Sequence, residues 1–568
     1  MQSKTPQFDY ALDALYQGMT PHVRTCVETR TSFFVSQRDI DAYRALRIPL
    51  PTVAPMVRLR RMRAAVAGFD LFRRTLLDGP SVVSMYDPES SVPILPANEW
   101  HSDRFDPMKF GCAYDLSVSF FDQWQIFSNA VPRPAIIQDL KTENSPWALY
   151  TASSKNVYFT YAGMDEENVS YADFSIASRD SVDISYVYRS AHCYHSVLLN
   201  ACLRTHFSEQ CNRCIDVIFS LACSDCSDCF GCTNLRRKKF CFLNEQLTEE
   251  EYRERCKAID LSDASVVEAW EKKIQEIWNK AYRKAGTIYQ SERAIGDELW
   301  SCKDVEGISM TNAERVYYAF TLMDVKDSVD VALALQLERC ANLVGSQKGY
   351  ENKMVNTCEG CIDIEYSELL ASCEHCFGCI GLKYKKYCVL NQQYTEEEYW
   401  KLVDQLKTDM LAHGEYGEFF PYRVSPWAYN TSHADAQFPM EEKEARALGA
   451  RWYAFAQERE VQAQSVDTLP LRLKDTTEEA LKEVYRCPVS GRAFRIVKPE
   501  LDLHREFGIA LPRVHPTVRR KERIKQCFPI VLQERACSAC STIVATRIPA
   551  TYPSPLLCES CYEERVLG

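Results

Sequence analysis

The chain has 568 residues, of which 46% are hydrophobic and 26 are cysteines, with a formal net charge of −11. This length is enough for about three or four domains, and the apolar content excludes a wholly disordered chain. The sequence has neither a secretory signal pattern nor a long uncharged apolar run, so we expect a cytoplasmic protein without membrane contact. Its cysteines then indicate metal ligands or buried thiols rather than disulfides.

The charge is unevenly distributed along the chain. Residues 22–75 hold eleven arginines, no lysine and four acidic residues, a net charge of +7. Residues 481–568 hold fifteen lysines and arginines against nine acidic residues, a net charge of +6. Two basic ends therefore flank an acidic centre, and each end is a candidate contact for an anionic macromolecule.

The two basic ends share a sequence pattern at an offset of 461 positions, as between Cys26 and Cys487. The matching residues are Cys26, Phe33, Ile48, Leu50, Pro51, Pro55 and Arg58 at the front, and Cys487, Phe494, Ile509, Leu511, Pro512, Pro516 and Arg519 at the back. The pattern predicts a basic N-terminal module at residues 1–145 and a basic C-terminal module at 481–568.

A second duplication fills the centre of the chain at an offset of 147, as between Asp183 and Asp330. Seven cysteines recur at this offset without a gap: Cys193, Cys211, Cys214, Cys226, Cys229, Cys232 and Cys241 match Cys340, Cys358, Cys361, Cys373, Cys376, Cys379 and Cys388. We predict two cysteine-rich repeats at residues 146–290 and 291–415, followed by a connecting segment at 416–480.

Short strands should make up most of each repeat. Val157, Val169, Val182 and Cys193 are separated by 12, 13 and 11 residues. Two such strands per turn would form the coil of a parallel β-solenoid, which buries its inward face against neighbouring coils. The predicted fold is mainly β with helical caps: two tandem β-solenoid-like cysteine-rich repeats flanked by small α+β zinc-ribbon-type modules. A pair of compact all-β domains is the alternative.

A helix should close each repeat. Thr248 with Glu251 and Thr395 with Glu398 form the Thr-x-x-Glu pattern of a capping box. The pattern predicts helices that end at about residues 257 and 412. The first repeat adds an amphipathic helix over roughly 264–285, with apolar residues on one face.

The cysteines of the repeats allow three interpretations. Cys223, Cys226, Cys229 and Cys232 follow one another at a period of three, as in some iron–sulfur sequences, but the second copy has Leu370 at the position of Cys223. Buried thiols that pack as small hydrophobic residues are a second interpretation. The third is an additional class of metal site, for which the candidates are Cys211, Cys214, Cys226, Cys229, Cys358, Cys361, Cys373 and Cys376.

The C-terminal cysteines give the strongest metal signal. Cys537 and Cys540 form one C-x-x-C pair, and Cys558 and Cys561 form another. Two such pairs are typical of a structural zinc ribbon, whose four thiolates close the coordination shell, so zinc is the predicted cofactor. The related front positions are Cys26, Thr29, Ala54 and Val57, and those at the start of the C-terminal module are Cys487, Ser490, His515 and Val518. Neither set can supply four ligands.

Several short motifs carry a resemblance to a known family. They are Phe120-Phe121-Asp122-Gln123, Val131-Pro132-Arg133, Cys229-Phe230-Gly231-Cys232 with its second copy, Gly417-Glu418-Phe419-Phe420-Pro421, and Gly491-Arg492-Ala493-Phe494-Arg495-Ile496. Together with the final ribbon, they resemble an uncharacterised zinc-ribbon family of candidate-phyla bacteria, loosely labelled Caib/baif family proteins. The resemblance covers nearly the whole chain. It implies ribbons at both ends, a feature from which the front of this chain departs, and it implies no CoA-transferase chemistry.

The leading functional hypothesis is a non-enzymatic protein that binds RNA or DNA through its basic ends. Clustered arginines can form bidentate contacts with phosphates. The candidate residues are Arg58, Arg60, Arg61, Arg63, Arg519, Arg520, Lys521 and Arg523.

A protein-interaction scaffold built on the solenoid is the alternative function, and a thiol redox enzyme is the third. The redox hypothesis requires a low thiol pKa at Cys211 or Cys214. No catalytic residue or small-molecule substrate is indicated, since the sequence has no phosphate-binding glycine loop, no G-x-S-x-G and no His-Glu-x-x-His.

Overall fold

A computed structural model describes residues 3–76, 79–291, 295–300, 306–311, 322–323, 334–335, 345–350, 357–455, 461–527 and 531–567. The chain is mainly β, with a cysteine-rich β-solenoid region and helices at its ends, which confirms the predicted fold class. The predicted helical caps are present in both repeats. Within the second repeat, residues 292–294, 301–305, 312–321, 324–333, 336–344 and 351–356 lie outside the described residues.

The helices are concentrated outside the solenoid coils. They are α1 (Pro6–Tyr16), α2 (Gln37–Ala45), α3 (Pro55–Ala64), α4 (Ala97–Trp100), α5 (Phe120–Ala130), α6 (Glu249–Lys257), α7 (Ala264–Trp278), α8 (Glu396–Ala412), α9 (Glu442–Ala447), α10 (Lys498–Phe507), α11 (Pro516–Gln526) and α12 (Glu559–Tyr562). The capping boxes predicted before α6 and α8 are both formed. Helix α7 begins where predicted but ends at Trp278, earlier than expected.

The first solenoid contains a parallel ladder of short strands. They are β7 (Ala148–Leu149), β8 (Thr160–Tyr161), β9 (Glu167–Ser170), β10 (Arg179–Tyr188), β11 (Tyr194–Asn200), β12 (Leu203–His206), β13 (Ile215–Ile218), β14 (Ser227–Phe230), β15 (Lys239–Phe242) and β16 (Glu245–Gln246). Paired residues lie 12 positions apart, as Cys229 and Cys241 do. Only the last pair, β15 with β16, is antiparallel within this ladder.

Each coil therefore takes 12 residues. The prediction that two strands, spaced about twelve residues apart, make up one turn was wrong. A left-handed residue recurs at every third position over most of the first solenoid, for example at Asp225, Asp228 and Asn234. These residues turn the corners, so that one coil has four sides of three residues each. The side chain that follows each corner points inward, which explains the period of three among Cys223, Cys226 and their neighbours.

The interior of the solenoid is narrow and is filled by small side chains. Ala148, Val157, Val169 and several buried cysteines form one continuous apolar cluster along it. Small residues are required because the four sides of each coil face one another across a short distance. Each coil is stabilised by backbone hydrogen bonds and packing with the coils before and after it.

The end of the second repeat follows the first in register. Strands β24 (Thr357–Glu365), β25 (Glu368–Ala371), β26 (Glu374–Phe377), β27 (Lys386–Val389) and β28 (Gln392–Gln393) precede α8. The last three begin 147 positions after β14, β15 and β16, and α8 begins 147 positions after α6. The earlier strands are β18 (Ile288–Tyr289), β19 (Ile295–Trp300), β20 (Glu306–Thr311), β21 (Leu322–Met323), β22 (Ala334–Leu335) and β23 (Gly345–Tyr350).

The two terminal modules have matching elements. Hairpin β1 (His22–Thr25) with β2 (Ser32–Val35) precedes α2 and α3 at the front. Hairpin β30 (Tyr485–Arg486) with β31 (Ala493–Phe494) precedes α10 and α11 at the back. Helix α10 begins 461 positions after α2, and α11 begins 461 positions after α3, which agrees with the offset in the sequence.

The remaining strands join these units. They are β3 (Phe72–Thr75), β4 (Ser81–Ser84), β5 (Ile94–Leu95), β6 (Arg133–Pro134), β17 (Arg283–Lys284), β29 (Gln464–Ser465), β32 (Gln533–Ala536), β33 (Ile543–Thr546) and β34 (Leu556–Leu557). Helices α1, α5 and α8 share one apolar core with the end of the second solenoid. Helices α7 and α10 share another with the first solenoid.

Candidate metal centre and interaction surfaces

The four C-terminal cysteines come together at one end of hairpin β32–β33. The Sγ atoms of Cys537, Cys540, Cys558 and Cys561 all lie within 4.8 Å of one another. The Sγ atoms of Cys540 and Cys558 are 3.7 Å apart. A tetrahedral ion with Zn–S bonds of about 2.3 Å would hold its sulfurs about 3.8 Å apart, so the arrangement suits such an ion.

The backbone supports the sulfur atoms as in a metal knuckle. The Cys558 backbone N–H donates to Cys537 Sγ over 3.3 Å. Burial is the largest influence on the pKa of Cys537 and raises it, but hydrogen bonds from the backbone of Cys558, Cys540 and Ala539 outweigh burial and lower it to about 6. A thiol that ionises readily is suited to metal binding, because the thiolate is the ligand.

The four-cysteine centre lies against the first solenoid and the segment that leaves α7. Strand β34 pairs in parallel with β17. Asn234 Nδ2 donates to the Tyr562 hydroxyl over 3.2 Å, and Lys284 Nζ lies 2.7 Å from Glu559 Oε1. The segment that carries the four cysteines is therefore joined to the first solenoid and to the chain that follows α7.

Three hairpins in the chain share the knuckle geometry. The N–H groups of Cys26, Cys487 and Cys537 donate to carbonyl oxygens five residues later over 2.8, 2.9 and 2.8 Å. A left-handed residue occurs at the same position of each turn, at Arg30, Gly491 and Ser541 in the three hairpins. Only the last hairpin retains four cysteines.

The related positions of the other two hairpins have different roles. Cys26 and Val57 pack in a small apolar cluster. His515 uses Nδ1 to accept a hydrogen bond from the Thr517 N–H over 3.1 Å, at the start of α11. The positions that match the C-terminal cysteines thus serve apolar packing in one module and a helix cap in the other.

The central cysteines line the interior of the solenoids. All eight candidate ligands are buried: Cys211, Cys214, Cys226, Cys229, Cys358, Cys361, Cys373 and Cys376. Their thiols bond to the backbone, as when Cys214 donates to the Asn212 carbonyl over 3.5 Å and Cys226 to the Ser224 carbonyl over 3.3 Å. Among the described residues, only the C-terminal cysteines gather into a group of three or more ligands. This placement favours buried thiols that pack as small hydrophobic residues, and the additional metal sites stay a prediction.

The thiols named by the redox hypothesis do not have low pKa values. A hydrogen bond with Cys214 is the largest influence on Cys211, whose pKa is raised well above its ordinary value. A hydrogen bond with Cys202 is the largest influence that raises the pKa of Cys214. Because the thiolate is the reactive form, these two side chains are poorly suited to thiol exchange.

The arginines of α3 are engaged within the protein. Arg60 and Arg61 both pair with Glu28, with Arg61 Nη2 at 3.0 Å from Glu28 Oε2. Arg58 and Arg63 are buried. Contact between these side chains and a phosphate would require the loss of internal bonds.

The arginines of α11 form a buried ion-pair network with the first solenoid. Arg523 Nη1 and Arg519 Nη1 each lie 2.7 Å from a different oxygen of Asp183. Arg520 Nε lies 2.6 Å from Asp173 Oδ1. The guanidinium groups that were predicted to contact phosphates therefore face carboxylates of the solenoid.

Glu500 completes this network, and Lys521 lies outside it. Arg519 Nη2 is 3.0 Å from Glu500 Oε1, so three arginines meet three carboxylates. Lys521 is half exposed and lies 2.7 Å from Asp435. Sequence reasoning missed the acidic half of this network, although the repeated Asp180-Ser181-Val182-Asp183 motif marks its position.

The sides of the first solenoid differ in exposure. On two adjacent sides, the outward residues are mostly buried, since α10 packs near Tyr194 and α11 packs on Asp173. On the other two sides, which we name the open sides, no outward residue from Ala152 to Lys239 is buried.

Apolar residues form a row on each open side. The first row is Met164, Ile176 and Tyr188, and the second is Ala191, Leu203 and Ile215. Met164 is 40% exposed and Ile215 is 43% exposed. The rows lie on either side of one corner of the coil. They are not evident in the sequence, because the members of each row are twelve positions apart.

No helix within the described residues is long and apolar enough to cross a membrane. Comparison with known proteins found no family model and no curated protein that matches the chain.

Proposed function

We propose that the chain is a non-enzymatic scaffold that binds a protein partner on the open sides of its first solenoid, with a zinc ribbon that fastens the C-terminus. The observation that carries the proposal is the contrast between the four sides. Two are covered by the chain's own modules, whereas the outward residues of the other two all have access to solvent.

The apolar rows give this surface its binding character. Outward side chains on successive coils are about 4.8 Å apart, so each row forms a flat, evenly spaced strip. Contiguous exposed apolar residues with polar neighbours are typical of protein-interaction sites. Charged residues lie in line with the second row. Arg179 precedes Ala191 at one end, and Lys239 follows Ser227 beyond the other end.

Nucleic-acid binding is a weaker candidate, because arginines at the corners of the first solenoid are paired locally. Arg204 lies 2.5 Å from Asp216, and Arg213 lies 2.6 Å from Asp225. A phosphate backbone would have to compete with these carboxylates as well as with those that hold the arginines of α3 and α11.

Zinc is the proposed occupant of the four-cysteine centre. Four thiolates in a closed tetrahedral arrangement are the ligand set of structural zinc sites. The bound ion would join two segments of chain that have little apolar core of their own, and would thereby supply folding free energy to the ribbon.

The scaffold proposal can be tested with a double variant of the rows. Met164→Lys with Ile215→Lys places two charges on the open sides and should abolish the capture of partners by the tagged full-length protein in cells that produce it. The control is Leu140→Lys, which charges a fully exposed apolar residue outside the rows. Cross-linking with mass spectrometry identifies the partner and its contact residues. Equal capture by both variants would exclude the open sides.

The same preparations decide between protein and nucleic-acid binding. If RNA or DNA binds by phosphate contacts, its affinity must fall log-linearly with salt. We expect no such salt dependence when labelled RNA or DNA is titrated with the full-length protein and binding is followed by fluorescence anisotropy. A steep salt slope that is unaffected by the double variant would favour the nucleic-acid function.

A further inference from the structure

Within the described residues, the outer edge of β1 in the N-terminal hairpin pairs with no strand, and segment 50–52 reaches only its end, where the Val27 N–H donates to the Thr52 carbonyl over 3.2 Å. Cys26 N–H bonds to the Thr31 carbonyl, and Arg24 is paired with Phe33 in the same register. Because ladder bonds alternate along an antiparallel strand, the N–H and C=O groups of Val23 and Thr25 point away from β2. Within the described residues, β1 pairs with no other strand.

The matching edge in the C-terminal module is occupied. Strand β29 pairs there in parallel with β30. The Gln464 N–H donates to the Val484 carbonyl over 3.0 Å. Val484 corresponds to Val23 at the offset of 461. The carbonyl that accepts the Gln464 N–H in the C-terminal module therefore matches the Val23 carbonyl, which has no strand beside it among the described residues.

The open edge also carries an exposed apolar pair. Val23 and Phe34 are direct partners across the hairpin, and they are 64% and 63% exposed. The third knuckle hairpin has Glu534 and Ala545 at the equivalent positions. Edge strands commonly carry charges that prevent pairing with other chains. The Arg24 guanidinium of β1 instead donates to the Leu50 and Pro51 carbonyls, so Val23 and Thr25 leave the open edge uncharged.

The segment that follows α8 does not cover this edge. Its Glu415 side chain accepts a hydrogen bond from the Phe120 N–H over 3.1 Å, and the Gly417 N–H donates to the Tyr366 hydroxyl over 2.9 Å. These contacts hold the segment against α5 and the second solenoid, and Glu418 then accepts a hydrogen bond from the Thr52 N–H over 2.8 Å.

Charge indicates what kind of strand the edge would receive. Exposed Arg30 lies at the tip of the hairpin, in a segment of net charge +7 (residues 22–75) whose α3 arginines are engaged internally. The segment that fills the matching edge contains apolar Val466 and acidic Asp467, whose carboxylate lies 3.6 Å from Arg513.

We infer that the outer edge of β1 is a β-augmentation site for an extended segment of a partner protein with apolar and acidic side chains. The segment runs parallel to β1, as β29 runs parallel to β30, and covers Val23 and Phe34. Main-chain hydrogen bonds provide the affinity, while the apolar pair and the basic residues select the sequence. This inference rests on the proposed scaffold function and adds a contact far from the open sides in sequence.

The test uses a labelled peptide with the sequence of residues 461–469 and the full-length protein. We expect saturable binding in fluorescence anisotropy, with slower amide exchange at Val23 and Thr25 in hydrogen–deuterium exchange. Thr25→Pro removes an N–H from the open edge and should weaken binding about tenfold or more. The control is Ser32→Pro, which removes an N–H from the opposite edge and should leave binding unchanged.

Three outcomes of the peptide experiment would overturn the inference. They are the absence of binding, equal loss in the two proline variants, and protection of residues 483–486 instead of 22–25. Dimerisation of the protein that is abolished by Thr25→Pro would also overturn it, since a second copy would then be the occupant. The Met164→Lys and Ile215→Lys variant should bind this peptide normally, so failure of the open-side proposal is measured separately.

Discussion

Arg523 Nη1 lies 2.7 Å from Asp183 Oδ1, and both side chains are completely buried between α11 and the first solenoid. Burial, the largest influence, raises the pKa of Asp183, but Arg519 and Arg523 outweigh it and hold this pKa below its usual value. The basic face of the C-terminal module is therefore the surface by which it docks on its own solenoid.

Asp183→Ala should destabilise the protein strongly. Removal of one partner leaves buried guanidinium groups without compensation, at a cost of about 3–5 kcal/mol. The control is Asp216→Ala, which breaks an exposed pair with Arg204 and should cost about 1 kcal/mol or less. Urea denaturation measures both free energies of unfolding, and similar values would show that the buried network contributes little.

Purified protein should contain one tightly bound zinc ion per chain at the ribbon. Cys558→Ser removes one of four ligands and should abolish stoichiometric zinc, because a structural site needs its complete shell. Cys487→Ser alters the corresponding knuckle without four ligands and should leave the zinc content unchanged. Elemental analysis measures both, and zinc that persists in Cys558→Ser would contradict the assignment.

Glu166 should make stability depend on pH in the neutral range. Its carboxyl lies inside the solenoid, where Gly163 leaves room for it, and burial raises its pKa to about 8. A raised pKa means that the stabilisation is complete below pH of about 4.5 and is lost as pH rises through about 8.

Glu166→Gln should remove this dependence and leave the variant more stable than the wild type at pH 9. The control is Glu167→Gln, which alters the adjacent, partly exposed carboxylate and should follow the wild-type profile. Free energies of unfolding between pH 5 and 9 provide the measurement. Parallel profiles for the wild type and Glu166→Gln would exclude a buried titrating carboxyl.

Buried histidines should destabilise the protein in acid. Burial lowers the pKa of His206 to about 3 and that of His504 to about 4. Their stabilisation is present above pH of about 6.5 and is lost as pH falls toward 4, because the unfolded state binds the protons first. His206→Phe should flatten the loss, whereas His413→Gln, at an exposed position, should not. Thermal unfolding from pH 7 to 4 checks this, and equal slopes in both variants would contradict it.

The sequence predicted the repeats, the helix starts and the four-cysteine cluster because each has a local signal. The capping boxes at Thr248 and Thr395 specify where α6 and α8 begin, and two C-x-x-C pairs specify the metal centre. The triplet geometry has no such signal, since left-handed residues include Tyr171 and Phe207, which seldom adopt that conformation.

The role of the C-terminal arginines was also hidden from the sequence. Arg519 and Asp183 are 336 positions apart in the chain. A run of arginines on one helix is compatible with phosphate contact or with buried ion pairs, and only the tertiary fold decides which. The same holds for the open edge of β1, which is recognised by comparison with its occupied copy.

The four-sided coil sets rules for how this chain can change in length. Twelve residues make one coil and three make one side. An insertion of twelve would lengthen the open sides while every later side chain keeps its direction. An insertion of three would rotate all later coils by a quarter turn and bring Asp183 or its successors out from under α11. The two repeats are 147 positions apart, which is divisible by three but not by twelve. Corners therefore recur at matching positions in both copies. A count of coils that continues from the first copy into the second is shifted by one side.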